Sequence, residues 1–408
     1  MNWELLYCPN RRCLCYGMPV NKGRLVKNGS SYGNPQALCK ACGRSVALTY
    51  ATAYYELDAE PAIFEMAVRA LAEGNSIRAT GRIVKVDKDA VCDWLNRAAH
   101  QARLVMLYFW QRLHLTECQL DELWSFVHTK EANLAFAKLL CQTYGDAWVW
   151  IAFAPAWRMV VAFVIGKRIE ENATLLIRRV KTLSDNHTPF FTSDQLPAYE
   201  MALLNVYGQL EEQKRKGTRG RHPAPRLVPS PELLYAQVVK KRKAGRVVDV
   251  THKVIFGDPA RIEALLKASP VSTTINTSFV ERNNLSSREH NRRLTRKTIG
   301  FSKELPWFEK QLWLSLAYYH FCLPHLSLRR PLEVPEPTRG QGSPRKWQPV
   351  TPAMEAGLTD HVWTTNELLG YRVPAAFLEQ LDKMADIFPT LDSSPITPED
   401  QQTLHEMV

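Results

Sequence analysis

Leu115-Thr-Glu-Cys-Gln-Leu-Asp-Glu-Leu-Trp-Ser-Phe-Val-His128 sets two adjacent carboxylates, Asp121 and Glu122, inside a run otherwise rich in apolar and aromatic residues. The run predicts a β-strand. An acid inside an apolar strand costs free energy unless it is paired or bound to a cation, so this position asks for a partner. Successive strand side chains face opposite sides, so only one of the two acids can face a given site. Working outward, Ala147–Ala154 and Met159–Ile165 are apolar runs separated by a turn that holds Pro155, and they predict the next two strands. Glu170–Leu183 predicts a helix, and Phe190–Thr192 a short buried strand that ends at Ser193 and Asp194. Strand, strand, strand, helix, strand and then long helices predict an α/β unit over 115–325, a mixed sheet with flanking helices.

Glu281 opens Val280-Glu-Arg-Asn-Asn-Leu285, the start of a helix-like run that continues through Arg288, Arg292 and Arg293. Seven residues make two helical turns, so Arg288 projects from the same face as Glu281. A carboxylate in a first strand, another at the end of a later strand and a third on a following helix can converge at one sheet edge. Three such acids suit phosphodiester chemistry. That chemistry uses two divalent ions, one to activate the attacking oxygen and one to stabilise the leaving oxygen, and hard oxygen ligands favour Mg²⁺ or Mn²⁺. Asp121, Asp194 and Glu281 are the candidate ligands, with Arg288 placed to reach a phosphate. Glu122 is a rival by adjacency, and Asp185, Asp249 and Asp258 are rivals by position.

Upstream, residues 1–50 are rich in Cys, Gly and Asn with little helical periodicity, as expected of a small unit held by a metal. Cys8, Cys13, Cys39 and Cys42 form two cysteine pairs, the pattern of a tetrahedral Zn²⁺ site, with Cys15 competing with Cys13 as ligand. Cys92, Cys118, Cys141 and Cys322 lack ligand spacing and read as core residues. Residues 58–104 turn helical: Ile63, Phe64, Ala67, Val68 and Leu71 recur at helix spacing, Gly74 breaks the pattern, and Ile77–Val84 gives a short second helix. A third helix buries Val91, Trp94, Leu95 and Ala98 and leaves Lys88, Arg97 and Arg103 among its polar positions. The three resemble a helix-turn-helix, in which the last helix enters the DNA major groove.

The net charge is +11, and the last 56 residues, 353–408, carry ten acidic and two basic side chains, which leaves +19 on residues 1–352. Such a surplus favours a polyanionic partner. It is densest in 205–253, where twelve Lys or Arg face four acids; this stretch reads as a basic insertion, part loop, with Lys240, Lys241, Arg242 and Lys243 as a phosphate-tracking run. Seven prolines between 324 and 352 mark residues 326–352 as a linker into an acidic C-terminal tail, 353–408. No apolar run is long enough to span a membrane. Nine cysteines, an odd number, and no apolar leader point to a reducing cytoplasm.

Asp121-Glu-Leu-Trp124, Thr192-Ser-Asp194 followed by Tyr199, and Val280-Glu-Arg-Asn-Asn-Leu285 with Arg288 and the later Gly300-Phe-Ser-Lys303 resemble the insertion-sequence-1 family of DDE transposases. The N-terminal zinc ribbon (1–50) and helix-turn-helix (58–104) resemble the DNA-binding portion of that family, so the likeness spans roughly residues 8–325. It implies an RNase H-like catalytic domain, with the family's acids carried over to Asp121, Asp194 and Glu281. The implied activity is binding of the terminal inverted repeats of a mobile element, cleavage at its ends and joining to target DNA. Two ends must be synapsed, so a homodimer or larger assembly on double-stranded DNA is expected, associated with the nucleoid. The basic insertion and the acidic tail depart from the shortest members of the family.

Overall fold

The computed structural model describes residues 3–134, 143–213, 223–338, 340 and 342–391. They form a mixed α/β protein in two compact units. The first takes residues 1–109, Glu289–Arg293 and 302–408; the second takes Trp110–Arg288 and Leu294–Phe301.

The first unit begins with a three-stranded antiparallel sheet, β1 (Leu25–Ser31), β2 (Asn34–Cys39) and β3 (Ser45–Ala47), in that spatial order. Leu6, Leu25, Ala37 and Val46 pack there with Cys8, Cys15 and Cys39 in a very small core. Three helices follow: α1 (Pro61–Ala72), α2 (Ile77–Val84) and α3 (Lys88–Phe109). Proline at the first turn suits α1, and the Ser76 hydroxyl caps α2 by accepting from the Ala79 amide at 3.2 Å. Gly74 separates them with φ +83°, a left-handed turn where a Cβ would lie 2.8 Å from the Glu289 carbonyl oxygen. The apolar faces meet in one cluster containing Phe64, Val68 and Leu71 of α1, Val84 of α2, and Val91, Trp94, Leu95 and Ala98 of α3.

The second unit contains β4 (Glu117–Val127), β5 (Gly145–Ala154), β6 (Met159–Gly166), α4 (Glu170–Leu183), β7 (Phe190–Asp194) and α5 (Pro197–Tyr207). A short hairpin of β8 (Gly208–Glu211) and β9 (Arg226–Pro229) precedes β10 (Leu234–Lys243) and β11 (Arg246–Phe256). Helices α6 (Pro259–Ala268) and α7 (Ser278–His290) follow. The six-stranded sheet runs β11-β10-β7-β4-β5-β6. Strand β7 is parallel to both β4 and β10, whereas β4–β5, β5–β6 and β10–β11 are antiparallel. Strands β5 and β6 are buried almost continuously, and α4 packs on both.

The stretch 205–253, expected as an insertion outside the core and part loop, contributes a core strand. Leu234–Val238 are buried, and β10 is an interior strand hydrogen-bonded to both β7 and β11. Within β10 the charge begins at Lys240, where the strand outruns its last pairing with β7, Val238 opposite Asp194, and continues with β11 as a two-stranded arm. Residues 214–222 of the stretch lie outside the described residues.

The chain then returns to the first unit with α8 (Leu305–Phe321), the hairpin β12 (Arg330–Glu336) and β13 (Arg345–Gln348), and the short helices α9 (Pro352–Glu355), α10 (Thr365–Gly370) and α11 (Ala375–Asp382). Three expected boundaries therefore move. Helix α8 packs on α3, and its Gln311 amide donates to the Leu71 carbonyl at 3.0 Å, so it belongs to the first unit and not to a catalytic domain ending at 325. The linker 326–352 carries a hairpin. The acidic segment is folded at least to Leu391: Leu369 joins the helical core, and Arg372, 2% exposed, donates to the Leu48 and Tyr50 carbonyls. Net charge hid these contacts because the acids sit on the outside of short helices whose apolar positions are widely spaced. Residues 392–408 lie outside the described residues. No described helix is long and apolar enough to cross a membrane.

Candidate functional site

Four cysteines converge in the small N-terminal core. Cys8 and Cys42 sulfurs are 3.6 Å apart, Cys13 and Cys39 sulfurs 3.8 Å, and all four lie within 4.8 Å of one another. Four thiolates about 2.3 Å from a tetrahedral ion would be about 3.8 Å apart, so the spacing fits a metal ion of that geometry. Gly43 makes the closing turn possible with φ +70°, its amide donating to the Cys39 carbonyl at 2.8 Å. A backbone hydrogen bond from Arg44 lowers the Cys42 thiol to about 6, which favours the thiolate. The competition between Cys13 and Cys15 resolves to Cys13: Cys15 stands outside the cluster and donates its amide to the Cys13 sulfur at 3.3 Å. Cys118 is buried, Cys92 and Cys322 are half-buried, and Cys141 lies outside the described residues.

The acids of the second unit meet at one end of the sheet. Asp121 is contributed by β4, Asp194 by the last position of β7 and Glu281 by the first turn of α7. Asp121 accepts from the Asn284 amide at 2.7 Å, and Asn284 Oδ1 is buried with no partner among the described residues. Burial raises the Asp121 carboxyl to about 7, with the negative charges of Glu122, Asp194 and Glu281 adding to the effect. Asp194 and Glu281 share two neighbours. The Thr277 hydroxyl lies 3.3 Å from Asp194 Oδ1 and 2.7 Å from Glu281 Oε1, and the Lys240 ammonium lies 3.2 Å from Asp194 Oδ1 and against Glu281 Oε1. Burial would raise Glu281, but hydrogen bonds from Lys240 and Thr277 outweigh it and hold the carboxyl below its ordinary value.

The possible ligand atoms of the three acids are all oxygens, and a cation, the Lys240 ammonium, already stands between two of the carboxylates. Oxygen donors are the kind a hard cation takes. Among the described residues the three acids are nonetheless looser than the cysteines, which alone bring three or more ligand atoms within 4.8 Å of one another. Glu122 points the other way along the strand, accepting from Arg168 and, at 3.1 Å, from the Tyr199 hydroxyl. Asp185 is bonded to His114, Asp249 to Lys241, and Asp258 caps α6, so none of these rivals joins the site.

Arg288 lies close enough to Asp121 to interact with it, and its Nε is buried with no hydrogen-bond acceptor among the described residues. Burial lowers its guanidinium below the ordinary value. The other cations expected at DNA divide. Lys88, although ion-paired with Asp89, is exposed at the start of α3, and Arg292 is exposed, as are Lys241, Arg242 and Lys243 on the arm. Three are engaged by groups of their own unit. Arg103 is 6% exposed and donates to the Phe388 and Pro389 carbonyls at 2.7 and 2.9 Å. Arg97 is bound to Asp93 and to the Tyr55 and Glu56 carbonyls. Arg293 donates to the Ser302 hydroxyl at 2.9 Å, and burial lowers it to about 10. A polar position on a helical wheel is thus occupied by an arginine that satisfies carbonyls of its own unit, which periodicity cannot distinguish from an exposed one.

Lys240 was expected at phosphate and is instead paired with Asp194 and Glu281, and Thr277 was not expected at the site at all. Thr277 had a signal, since a position four residues before Glu281 shares its helical face. Lys240 was masked by the cations that follow it. Compared with models of known protein families and with curated proteins, the chain shows no match.

Proposed function

We propose that this chain is a DDE-type DNA transposase, similar to the insertion-sequence-1 family, which cuts the ends of a mobile element and joins them to target DNA. The observation that carries the reading is the meeting of Asp121, Asp194 and Glu281 from two parallel strands and a helix, with the unpaired Nε of Arg288 beside them. The mixed sheet with its carboxylates at one end supports an RNase H-like reading of the second unit. Asp121, Asp194 and Glu281 would hold Mg²⁺ or Mn²⁺, with Asn284 donating to the Asp121 carboxylate and the single proton of the Thr277 hydroxyl shared between Glu281 and the more distant Asp194. The bound ions would activate a water or a 3′-hydroxyl for attack on phosphorus and stabilise the leaving oxygen. Arg288 positions the phosphate, and the cationic arm follows the backbone beyond it.

In this reading the first unit grips the inverted repeats. The cysteine cluster holds Zn²⁺, α3 enters the major groove from its exposed N-terminal turn at Lys88, and two copies synapse two ends in the cytoplasm, on the nucleoid. A second reading has one observation in its favour: Lys240 pairs with Asp194 and Glu281, as it would in a zinc-dependent DNA-binding regulator whose acids are structural.

The test is cleavage and joining by purified protein on duplexes carrying the element's inverted repeat. Asp121→Asn, Asp194→Asn and Glu281→Gln should each bind DNA and lose both reactions by orders of magnitude, while Glu122→Gln retains substantial activity and Arg288→Ala falls between. Wild-type cleavage rates in any one of the three removes that residue from the site. Cleavage without joining would identify a stand-alone nuclease, and neither reaction a regulator.

A further inference from the structure

A lysine has a long flexible stem and a strongly hydrated head, so beside solvent it normally extends outward. Lys241, Arg242 and Lys243 do so. Lys240 does not: its side chain is 20% exposed, less than half the exposure of the acids it touches. An ammonium has three N–H donors, and three acceptors surround this one: Asp194 Oδ1 at 3.2 Å, Thr277 Oγ1 at 3.3 Å and Glu281 Oε1. Two of these acceptors are carboxylates that the proposed metal site needs. A divalent cation takes such oxygens at about 2.0 to 2.6 Å, depending on the ion, so it and the ammonium compete for the same space.

We propose that Lys240 is a built-in countercation, which holds Asp194 and Glu281 together in the metal-free protein, is displaced when a divalent ion binds, and then turns to a DNA phosphate. The inference rests on the metal-site reading above. While Lys240 is in place, Asp194 and Glu281 keep their spacing without repelling each other, so the site does not have to be assembled when the ion arrives. Because the ammonium must be displaced, metal affinity is lower than the donor set alone would give. A phosphate is the natural next partner for Lys240, since the residue lies at the base of a cationic arm. DNA and metal therefore bind with positive coupling that runs through this side chain.

The experiment is titration of full-length protein with Mn²⁺, followed by electron paramagnetic resonance of the free ion, with and without a duplex of inverted-repeat sequence. Lys240→Met should bind Mn²⁺ roughly tenfold more tightly than wild type without DNA, a typical magnitude for coupled sites, and DNA should no longer change that affinity. Lys240→Arg keeps the charge and should stay near wild type. Metal-free Lys240→Met should also melt earlier than wild type and recover with Mn²⁺; Lys240→Gln, closer in shape and polarity, guards against a packing defect. Equal or weaker Mn²⁺ affinity in Lys240→Met, with binding still abolished by Asp194→Asn, overturns the inference and leaves the metal site standing. Absence of any Mn²⁺ binding that Asp194→Asn removes overturns both.

Discussion

Replacing Asp121 by Asn should make the metal-free protein more stable at neutral pH, although it destroys the proposed site. The Asp121 carboxyl is raised from an ordinary 3.8 to about 7, chiefly by burial. Below pH ~4 the group is protonated in both folded and unfolded chains, and the substitution changes little. Between pH ~4 and ~7 the unfolded chain gives up the proton while the folded one keeps it, so wild-type stability falls as pH rises, by about 1.4 kcal/mol per unit. Above pH ~7 the whole penalty is present. Its ceiling is about 4 kcal/mol, and relaxation of the site reduces it to about half. Asn has no charge to desolvate, and its carbonyl oxygen can still accept from Asn284. At roughly 2 to 4 °C per kcal/mol for a unit of this size, Asp121→Asn should melt about 4 to 8 °C higher at pH 8 in chelator, and with no difference at pH 4. Differential scanning calorimetry across that range reads the effect. Added Mn²⁺ should stabilise wild type and not the variant, since the ion would offset the buried negative charge. A variant that melts lower than wild type at pH 8, or by the same margin at every pH, would refute the assignment of an unpaired buried carboxylate.

Two further outcomes are expected. Cys39→Ser should lose bound zinc by elemental analysis and weaken end-specific binding while the second unit keeps its melting transition, because the sulfur cluster replaces the core that residues 1–50 lack; intact protein prepared without chelator that contains no zinc would exclude that ion. Neutralising Lys241, Arg242 and Lys243 should flatten the salt dependence of DNA binding, by about two to three in the logarithmic slope, without altering sequence preference; an unchanged slope would leave the arm without a role at phosphate.

The elements of the second unit were legible where burial and periodicity agree. Leu115–His128 and Ala147–Ala154 each sit within a residue or two of observed strands, and Glu170–Leu183 is the observed helix, because each is long enough for its apolar residues to fix one periodicity. Strand β10 was obscured because its buried half, Leu234–Val238, is followed at once by four cations, and a window that averages the two reads as neither core nor arm. The position of each acid on its element was legible from alternation and helical phase. The partners were not, because Lys240, Asn284 and Thr277 reach Asp194, Asp121 and Glu281 from far along the chain or through side-chain geometry that spacing does not encode. Arg97, Arg103 and Arg293 mark the same limit from the other side. Charge in a sequence does not reveal whether a guanidinium will meet a phosphate or an acceptor of its own unit.

The return of residues beyond Ser302 to the first unit has a consequence for synthesis. The core that surrounds α1–α3 is incomplete until Leu314 and Leu369 arrive, and Leu48 and Tyr50 present carbonyls that wait for Arg372. A chain emerging from the ribosome in order can close the second unit first, since that unit is nearly contiguous. The segment made earliest is then the last to reach its native packing, with contacts spanning more than 300 residues, as between Leu48 and Arg372. Ordering so distant a pair carries a loop-closure cost that the folded second unit has already shortened by tying its own ends together. A nascent or prematurely terminated chain that lacks Leu369 would therefore have its second unit folded while its first is not.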